Sequence, residues 1–203
     1  MRYDHLLIRR YIKPNSKVLD LGCGNGELLL LLKRERQANV RGLDIKENKV
    51  AKCLEKGLSV LQLDINKDLH DYKDYSFDYV ILNDTLQTVY SPIKVLNEAV
   101  RIGKKVIVTF PNFAHYSVRF YLLLNGKMPK TKALPYEWYN TPNIHFFTIK
   151  DFIEISRKNK LKIIDKKFYN KKNSGGTPKV FHPNLFAKNA LFVMSKRYSG
   201  EHK

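Results

Sequence analysis

Residues 18–26 read Val18-Leu19-Asp20-Leu21-Gly22-Cys23-Gly24-Asn25-Gly26, an apolar strand that leads into a glycine-rich turn. Because glycine has no Cβ, three glycines at every second position let the backbone approach a ligand closely. Residues 27–36 follow as a predicted helix, whose first N–H groups have no partner within the helix. The stretch therefore predicts a nucleotide-binding turn between a strand and a helix.

Strands alternate with helices on both sides of this turn. After an entry helix at residues 6–12, the predicted strands are residues 17–21, 39–45, 58–65, 77–82 and 105–110, and the helices between them are residues 27–36, 48–56 and 92–102. Ser91 and Pro92 favour a helix start, as a capping hydroxyl followed by proline at the first helical position. The alternation indicates a parallel sheet covered on both faces, so the predicted fold class is α/β with a doubly wound sheet.

The pattern changes after residue 112. Residues 113–124 predict an aromatic-rich helix, and residues 128–148 form a long segment rich in proline and aromatic side chains. Loops this long in a compact domain are usually functional or disordered, and the aromatic content argues against disorder. We therefore expect an aromatic-rich insertion at about 113–148. Thr148 and Asp151 then predict a capping box that starts a helix over residues 149–159. Two last strands, residues 161–169 and 190–197, are predicted to pair antiparallel at one edge of the sheet.

The length of 203 residues suits one well-buried core, so we predict a single domain over residues 1–203. No apolar run approaches the roughly 20 residues that span a bilayer, and the N-terminus has no secretory signal pattern. We therefore expect a cytoplasmic protein that does not enter a membrane. Cys23 and Cys53 have no metal-site spacing and fit a reducing compartment, so no metal site is predicted.

The net charge of +18 is concentrated in the C-terminal part of the chain. Residues 113–203 contain 18 basic and 5 acidic residues, against 19 and 14 in residues 1–112. Lysine outnumbers arginine by 27 to 10, although arginine is the usual reader of phosphates and base edges. We interpret the charge as a solvated, lysine-rich surface and do not expect a nucleic-acid partner.

Two ligands suit a G-x-G-x-G turn: the pyrophosphate of a dinucleotide, or the amino-acid part of S-adenosylmethionine. The dinucleotide pattern is G-x-G-x-x-G, which Gly22, Gly24 and Gly26 do not match. Asp20 would repel a pyrophosphate but attract the ammonium and sulfonium groups of S-adenosylmethionine. The turn therefore predicts S-adenosylmethionine or S-adenosylhomocysteine as the cofactor.

Polar residues at the predicted ends of three further strands extend this site. Asp44 is placed to accept hydrogen bonds from both ribose hydroxyls. Asp64 and Ile65 are placed to hold the adenine, and Asn83 to face the methionine end of the ligand. Any one of the three polar residues is alternatively a turn former, but as a group behind such a turn they favour a cofactor site. The predicted set is Asp20, Gly22, Cys23, Gly24, Asn25, Gly26, Asp44, Ile45, Asp64, Ile65 and Asn83.

The motifs VLDLGCGNG, GLDI, LQLDI and FDYVILNDTLQ resemble those of class I S-adenosylmethionine-dependent methyltransferases. More narrowly, FPNF, GKMPKTKALPY, WY and TPNIH resemble the MetW family of methionine biosynthesis proteins, and the resemblance extends over about residues 4–168. Two positions depart from that family. Asn25 stands where the family usually has Asp, and Asn83-Asp84 replaces a more typical Ser-Gln.

The resemblance implies a Rossmann-like class I methyltransferase fold, with sheet order 3-2-1-4-5-7-6 and strand seven antiparallel. It also implies a role in methionine biosynthesis and an association with homoserine O-acyltransferase, the enzyme that activates homoserine. It attaches no methyl acceptor to the chain. Two functions therefore stay open: direct support of the acyltransferase, and methylation of a small molecule without a partner enzyme. Nucleic-acid methylation is favoured only by the net charge.

The predicted acceptor site lies among the aromatic residues that follow the fifth strand. His115 and His145 are candidate bases, because methyl transfer needs a positioned acceptor that is in some cases deprotonated. Tyr136, grouped with them, is a candidate wall of this site, together with Trp138 and Tyr139. Each histidine is alternatively a packing residue, and the aromatic segment is alternatively a protein-docking surface.

Overall fold

A computed structural model describes residues 2–131, 134–170 and 180–196. Its strands are β1 (Lys17–Leu21), β2 (Asn39–Asp44), β3 (Ser59–Gln62), β4 (Phe77–Asn83), β5 (Gly103–Pro111), β6 (Leu161–Tyr169) and β7 (Asn189–Lys196). Its helices are α1 (Tyr3–Tyr11), α2 (Glu27–Arg36), α3 (Glu47–Glu55), α4 (Pro92–Ile102), α5 (Tyr116–Asn125), α6 (Ile149–Lys158) and α7 (Pro183–Phe186), with a 3₁₀ helix at Leu86–Thr88.

All seven strands belong to one sheet, in the order β3-β2-β1-β4-β5-β7-β6. β1 pairs in parallel with β2 and β4, and the pairs β2–β3 and β4–β5 are also parallel. β7 is antiparallel to both of its neighbours, β5 and β6. The predicted α/β class, sheet order and antiparallel strand seven are confirmed.

The sheet separates two apolar cores because side chains alternate along each strand. Val18 of β1 packs with the buried side chains of α1, α2 and α3. Leu19 and Leu21, on the other face, pack with those of α4 and α6. β1 is therefore buried on both faces, which is the environment expected for a central parallel strand.

Two predicted helix starts have different outcomes. Thr148 Oγ1 accepts from the Asp151 backbone N–H at 3.3 Å, and Asp151 Oδ2 accepts from the Thr148 N–H at 2.8 Å, so the predicted capping box is confirmed. The Ser91 side chain makes no capping hydrogen bond, although Pro92 does occupy the first turn of α4. The prediction of a capping hydroxyl at Ser91 is therefore wrong.

Some element boundaries differ from the predicted ones. β3 ends at Gln62 rather than at residue 65, because the chain turns at Asp64. α5 starts at Tyr116 rather than at residue 113, because His115 caps it. The last predicted strand includes residue 197, which lies outside the described residues. Among the described ranges, no helix is both long enough and apolar enough to cross a membrane.

Candidate functional site

The glycine turn lies at the carboxyl end of β1, between β2 and the segment that follows β4. The backbone N–H groups of Gly22 and Cys23 both donate to the carbonyl of Leu43, at 2.8 and 3.0 Å. On the other side, Thr85 Oγ1 donates to the Leu21 carbonyl at 2.9 Å. A Cβ on Gly22 would lie 2.8 Å from Thr85 Oγ1, so only glycine permits this contact. The turn is thus held by β2 on one side and by the segment after β4 on the other.

The three glycines of the turn all have positive φ angles, but they face different surroundings. A Cβ on Gly26 would lie 2.6 Å from Leu58 Cδ1 and 2.8 Å from Cys53 Sγ, inside the core. A Cβ on Gly24 would meet no protein atom within 4 Å. Gly24 is therefore the glycine of the turn that has open space beside it.

Asp20 is the buried acidic group of the site. Its side chain is 2 % exposed, and Oδ1 has no hydrogen-bond partner within the protein. Burial, and to a smaller extent the nearby Asp44 carboxylate, raise the pKa of Asp20 to about 7, while Arg2 opposes the shift. A buried carboxylate oxygen without a partner is costly, and a cationic ligand group beside it would remove that cost. The site therefore fits the ammonium group of S-adenosylmethionine.

Asp44, at the end of β2, connects the glycine turn to the start of α3. Its Oδ2 accepts from the Gly24 N–H at 2.9 Å, and its Oδ1 accepts from the Lys46 N–H at 2.9 Å. Each carboxylate oxygen has a second lone pair, so both remain able to accept a ribose hydroxyl. The structure brings Asp20, Asp44 and Gly24 together, as predicted from the sequence.

Three other predicted cofactor residues lie near Asp20 and Asp44. Ile45 is exposed beside Asp44, where an apolar side chain can cover a flat ligand. Asn25 Oδ1 accepts from Lys49 Nζ at 3.1 Å, which holds the turn to α3. Cys23 is buried against Gly42, and burial raises the pKa of its thiol. Cys23 therefore packs the turn and is not a reactive thiolate.

Asp64 lies two residues beyond the end of β3. Its Oδ1 accepts from both the backbone N–H and the side-chain Nδ2 of Asn66, at 2.9 and 2.8 Å. These two bonds lower the pKa of Asp64. Asp64 is thus a turn former, which was the alternative interpretation, and its adenine contact stays a prediction that depends on Oδ2. Ile65 is half-buried and packs against the core on the α4 side of the sheet.

Asn83 ends β4 and is tied to the neighbouring strand. Thr109 Oγ1 of β5 donates to Asn83 Oδ1 at 2.6 Å, and the adjacent Asp84 N–H donates to the Thr109 carbonyl at 3.1 Å. Asn83 therefore stands at the carboxyl edge, beside the turn formed by Asp84 and Thr85. Its predicted position at the strand end is the observed one.

The start of α1 contributes polar groups that the sequence analysis did not assign to the site. Arg2 Nη2 lies 2.5 Å from Asp4 Oδ2 and 2.5 Å from Asp84 Oδ2, so it links the N-terminal segment to the end of β4. Asp4 and His5 are both buried. Burial is the main cause that lowers the pKa of His5. Asp4 and His5 precede the apolar residues 6–8 in a helix that also contains Arg9 and Arg10, so their burial had no distinct signal in the sequence.

His115 has the role of a helix cap. Its Nδ1 lies 2.7 Å from Ser117 Oγ and accepts from the Ser117 backbone N–H at 3.3 Å. The ring is buried, and burial together with the nearby Lys188 lowers its pKa. These contacts agree with the packing interpretation of His115, and its role as a base stays a prediction.

His145 lies next to Gln87, in the 3₁₀ helix that follows β4. The backbone N–H groups of Ile144 and His145 both donate to the Gln87 carbonyl, at 2.8 and 3.1 Å. His145 Nε2 and Gln87 Oε1 are buried and have no protein partner. Gln87 Nε2 donates to the Asp84 carbonyl at 3.0 Å. This bond fixes the orientation of the amide, so Oε1 is the amide atom without a protein partner. Gln87 is a second residue that the sequence analysis did not single out.

The aromatic residues predicted as walls of an acceptor pocket lie at the surface. Tyr136, Trp138 and Tyr139 are all exposed, and the Trp138 and Tyr139 rings contact each other edge to face at 5.6 Å. Enclosing a small acceptor would bury these rings. Their exposure agrees better with the alternative interpretation, a surface for a protein partner.

We expect His115→Ala to destabilise the protein by about 1 kcal/mol, which corresponds to a fall in Tm of roughly 2–4 °C. The cap would be lost, while binding of S-adenosylhomocysteine would not change. His115→Asn, which can still accept from the Ser117 N–H, serves as the control and should recover most of the loss. Thermal denaturation and calorimetry measure the two effects. Loss of ligand binding in both variants at unchanged Tm would show that His115 is part of the site instead.

Comparison with known proteins places the chain within a family and a fold. Residues 2–194 match the family model "Methionine biosynthesis protein MetW". A bifunctional methionine biosynthesis protein, MetXA/MetW, of Rhodopirellula baltica is 31% identical over 97% of this chain. A demethylmenaquinone methyltransferase of Bacillus cytotoxicus is 35% identical over 47% of the chain. The chain spans 33% and 45% of the lengths of these two relatives, respectively.

Solved structures show the same fold at low sequence identity. A SAM-dependent methyltransferase from Archaeoglobus fulgidus superposes with a TM-score of 0.68 at 17% identity, covering 95% of this chain and 93% of that one. A SAM-dependent methyltransferase from Thermotoga maritima gives 0.67 at 19% identity, covering 96% and 90%. The fold is therefore the Rossmann-like fold of class I methyltransferases. With a family match over residues 2–194, the chain belongs to the MetW family of methionine biosynthesis proteins.

Proposed function

We propose that this protein binds S-adenosylmethionine or S-adenosylhomocysteine at the glycine turn and acts in methionine biosynthesis in direct contact with a homoserine O-acyltransferase. The observation that carries the cofactor part is the buried Oδ1 of Asp20, which has no partner within the protein. It lies at the end of β1, next to a turn whose Gly24 leaves open space. A carboxylate in this position suits a cationic ligand and disfavours a pyrophosphate.

The chain's own residues have distinct roles in this proposal. Asp20 would pair with the ligand's ammonium, and Asp44 would accept from the ribose hydroxyls. Arg2, already bound to Asp4 and Asp84, holds the start of α1 beside this edge. When bound, S-adenosylmethionine supplies an electrophilic methyl group. The protein would need only to orient it and exclude water.

The relative from Rhodopirellula baltica supports the partner, since we take its MetXA part to be the acyltransferase. Its name joins a MetXA part and a MetW part in one protein, and this chain spans only a third of it. A fusion keeps two parts at high effective concentration, which suits proteins that otherwise associate. We place the pair in the cytoplasm, where Cys23 and Cys53, both buried free thiols, would stay reduced. Sensing of the cofactor would link an end product of the pathway to an early step.

A second candidate function is methylation of a small molecule without a partner enzyme. The buried His145 Nε2 and Gln87 Oε1, both without a protein partner, favour it. A hydroxyl acceptor would donate its proton to His145 Nε2, which would take up that proton as the acceptor oxygen receives the methyl group. An acceptor with an N–H group would in addition donate a hydrogen bond to Gln87 Oε1. Release of S-adenosylhomocysteine from labelled cofactor in the presence of cell metabolites, abolished by His145→Ala, would support this function.

We expect Asp44→Ala to weaken S-adenosylhomocysteine binding by about 100-fold, because a hydrogen bond to a charged group contributes about 1.5–3 kcal/mol. Isothermal titration calorimetry measures the effect. The matched control is Asp78→Ala. Asp78 also accepts from a backbone N–H, that of Lys17 at 2.9 Å, but at the opposite edge of the sheet. Its substitution should change the affinity less than twofold, and equal losses in both variants would contradict the ribose assignment.

The partner part of the proposal has its own test. The acyltransferase of the same organism is copurified with this chain, and its activity is assayed with and without it. We expect a stable complex and a change in acyltransferase activity that depends on S-adenosylmethionine or S-adenosylhomocysteine. An acyltransferase that neither binds the chain nor changes its activity would refute the partnership and leave the cofactor site untouched.

A further inference from the structure

Helix α5 is the least covered element of the structure. None of its ten residues is buried, although the sequence YSVRFYLLLN is mostly apolar. Leu123 and Leu124 are 76 % and 78 % exposed. A helix that is apolar around its circumference is normally enclosed by protein. α5 therefore has the composition of a buried helix in an exposed position.

The exposed apolar surface is concentrated in this part of the chain. More than half of the exposed large apolar side chains among the described residues fall within 113–148. We define the α5 patch as Tyr116, Phe120, Tyr121, Leu122, Leu123, Leu124 and Met128. At roughly 100 Å² of exposed surface each, these side chains present on the order of 700 Å², more than the largest apolar patch of a typical monomer.

The charge of the α5 patch indicates what class of partner it suits. The chain has a net charge of +18, yet Arg119 is the only charged residue of α5. Arg119 Nε donates to the Ala114 carbonyl at 2.7 Å, so this guanidinium is tied back to the chain. Lys127 and Lys130 flank Met128 at the end of the patch, and Lys130 Nζ pairs with Glu137 Oε1 at 2.6 Å. Nucleic acids and anionic membranes are bound through larger clusters of cations than this. The patch suits the apolar surface of another protein.

The position of the patch connects it to the candidate site. α5 begins five residues after β5 ends, at the carboxyl edge of the sheet. The same insertion is attached to the site by the bonds from Ile144 and His145 to the Gln87 carbonyl. Two residues before Gln87, Thr85 contacts the glycine turn. A protein bound on α5 would therefore lie beside the cofactor edge.

We propose that the α5 patch is the surface that binds the acyltransferase, and that it does so through Leu123 and Leu124. This inference rests on the proposed function, and the joined MetXA and MetW parts of the Rhodopirellula baltica relative are the reason for choosing this occupant. The bound enzyme covers the carboxyl edge. The bound acyltransferase then senses whether the cofactor site is occupied, because the insertion contacts both the enzyme and the cofactor site.

The test is the double variant Leu123→Asp/Leu124→Asp, assayed for affinity to the acyltransferase by calorimetry. Each aspartate would bury an unpaired carboxylate in the interface, so we expect at least a 100-fold loss of affinity. Because α5 buries none of its residues, the Tm and the affinity for S-adenosylhomocysteine should stay as in the unmodified chain. The matched control is Leu54→Asp, since Leu54 is 56 % exposed on α3, at the other end of the sheet. It should bind within twofold of the unmodified chain.

Each other outcome overturns the inference in a recognisable way. A double variant that binds the acyltransferase with unchanged affinity places the interface elsewhere and leaves the proposed function intact. If the unmodified chain does not bind the acyltransferase, the proposed partnership itself fails. If sedimentation shows that the unmodified chain is a dimer and the double variant a monomer with unchanged acyltransferase affinity, a second copy of the chain covers α5.

Discussion

Asp20→Asn is expected to stabilise the ligand-free protein at pH 8 and to weaken binding of S-adenosylmethionine by about 100-fold. The pKa of Asp20 is raised to about 7 from an ordinary value of 3.8, so the folded protein holds a proton that the unfolded chain has released. Stability therefore falls as the pH rises from about 4 to about 7, and a shift of this size corresponds to at most about 4 kcal/mol. Asparagine carries no charge and removes that cost.

The same substitution removes the charge that the ligand's ammonium would pair with. A charge-assisted hydrogen bond of this kind contributes about 1.5–3 kcal/mol, which gives the expected loss of affinity. Binding to the unmodified protein requires ionised Asp20, so its affinity should rise by up to tenfold per pH unit from pH 5.5 towards pH 7 and then level off. The Asp20→Asn variant should show no such rise.

Thermal denaturation at pH 5 and pH 8, with calorimetry across the same range, measures these effects. Asp78→Asn is the control, because Asp78 lies at the opposite edge of the sheet and its pKa is lowered by Lys104 and by the Lys17 N–H. It should neither stabilise the protein at pH 8 nor change the affinity for S-adenosylmethionine. Full affinity in the Asp20→Asn variant would remove Asp20 from the ligand site.

The fold could be predicted from the sequence because its determinants are local. The strand and helix alternation, the glycine turn and the Thr148–Asp151 capping box each need only a few neighbouring residues. The end of β3 could not be predicted, because the apolar pattern continues through Leu63 and Ile65. The chain leaves the sheet where the Asp64 carboxylate bonds Asn66, and this local turn competes with strand pairing.

The site could be predicted where its groups follow consecutive strands. Asp20 and Asp44 lie within one residue of the ends of adjacent parallel strands, so their proximity follows from the sheet order. Arg2 and Gln87 were missed because their positions depend on contacts between distant segments: Arg2 reaches Asp84, and Gln87 holds residues 144 and 145. His115 was a candidate base in the sequence, and only the position of Ser117 shows that its ring caps α5.

Gly24→Ala and Gly26→Ala are expected to have different effects: the first should weaken ligand binding, and the second should destabilise the fold. Gly26 has a φ of +74°, and its Cβ would lie 2.6 Å from Leu58 Cδ1, which is buried. The left-handed backbone costs an alanine about 1–2 kcal/mol, and overpacking adds about 1–3 kcal/mol. Gly26→Ala should therefore destabilise the protein by about 2–5 kcal/mol, and the Tm should fall by at least about 5 °C.

Gly24→Ala should incur only the backbone cost, because its Cβ meets no protein atom within 4 Å. Its methyl group would instead enter the space on the ligand side of the turn, and we expect at least a 30-fold loss of affinity for S-adenosylhomocysteine. Gly57→Ala is the matched control. Gly57 has a φ of +67° and equally open surroundings, but it follows α3, away from the turn.

Gly24→Ala and Gly57→Ala should thus destabilise the protein by similar amounts, because each places an alanine in a left-handed backbone conformation and neither adds a clash. Only Gly24→Ala should lose the ligand. Calorimetry with S-adenosylhomocysteine and thermal denaturation are applied to all three variants. Together they separate the cost of the left-handed backbone, the cost of overpacking the core and the loss of ligand affinity. If Gly24→Ala binds as tightly as Gly57→Ala, the ligand does not approach the turn at Gly24, and the cofactor must be placed further along the edge, towards Asn83.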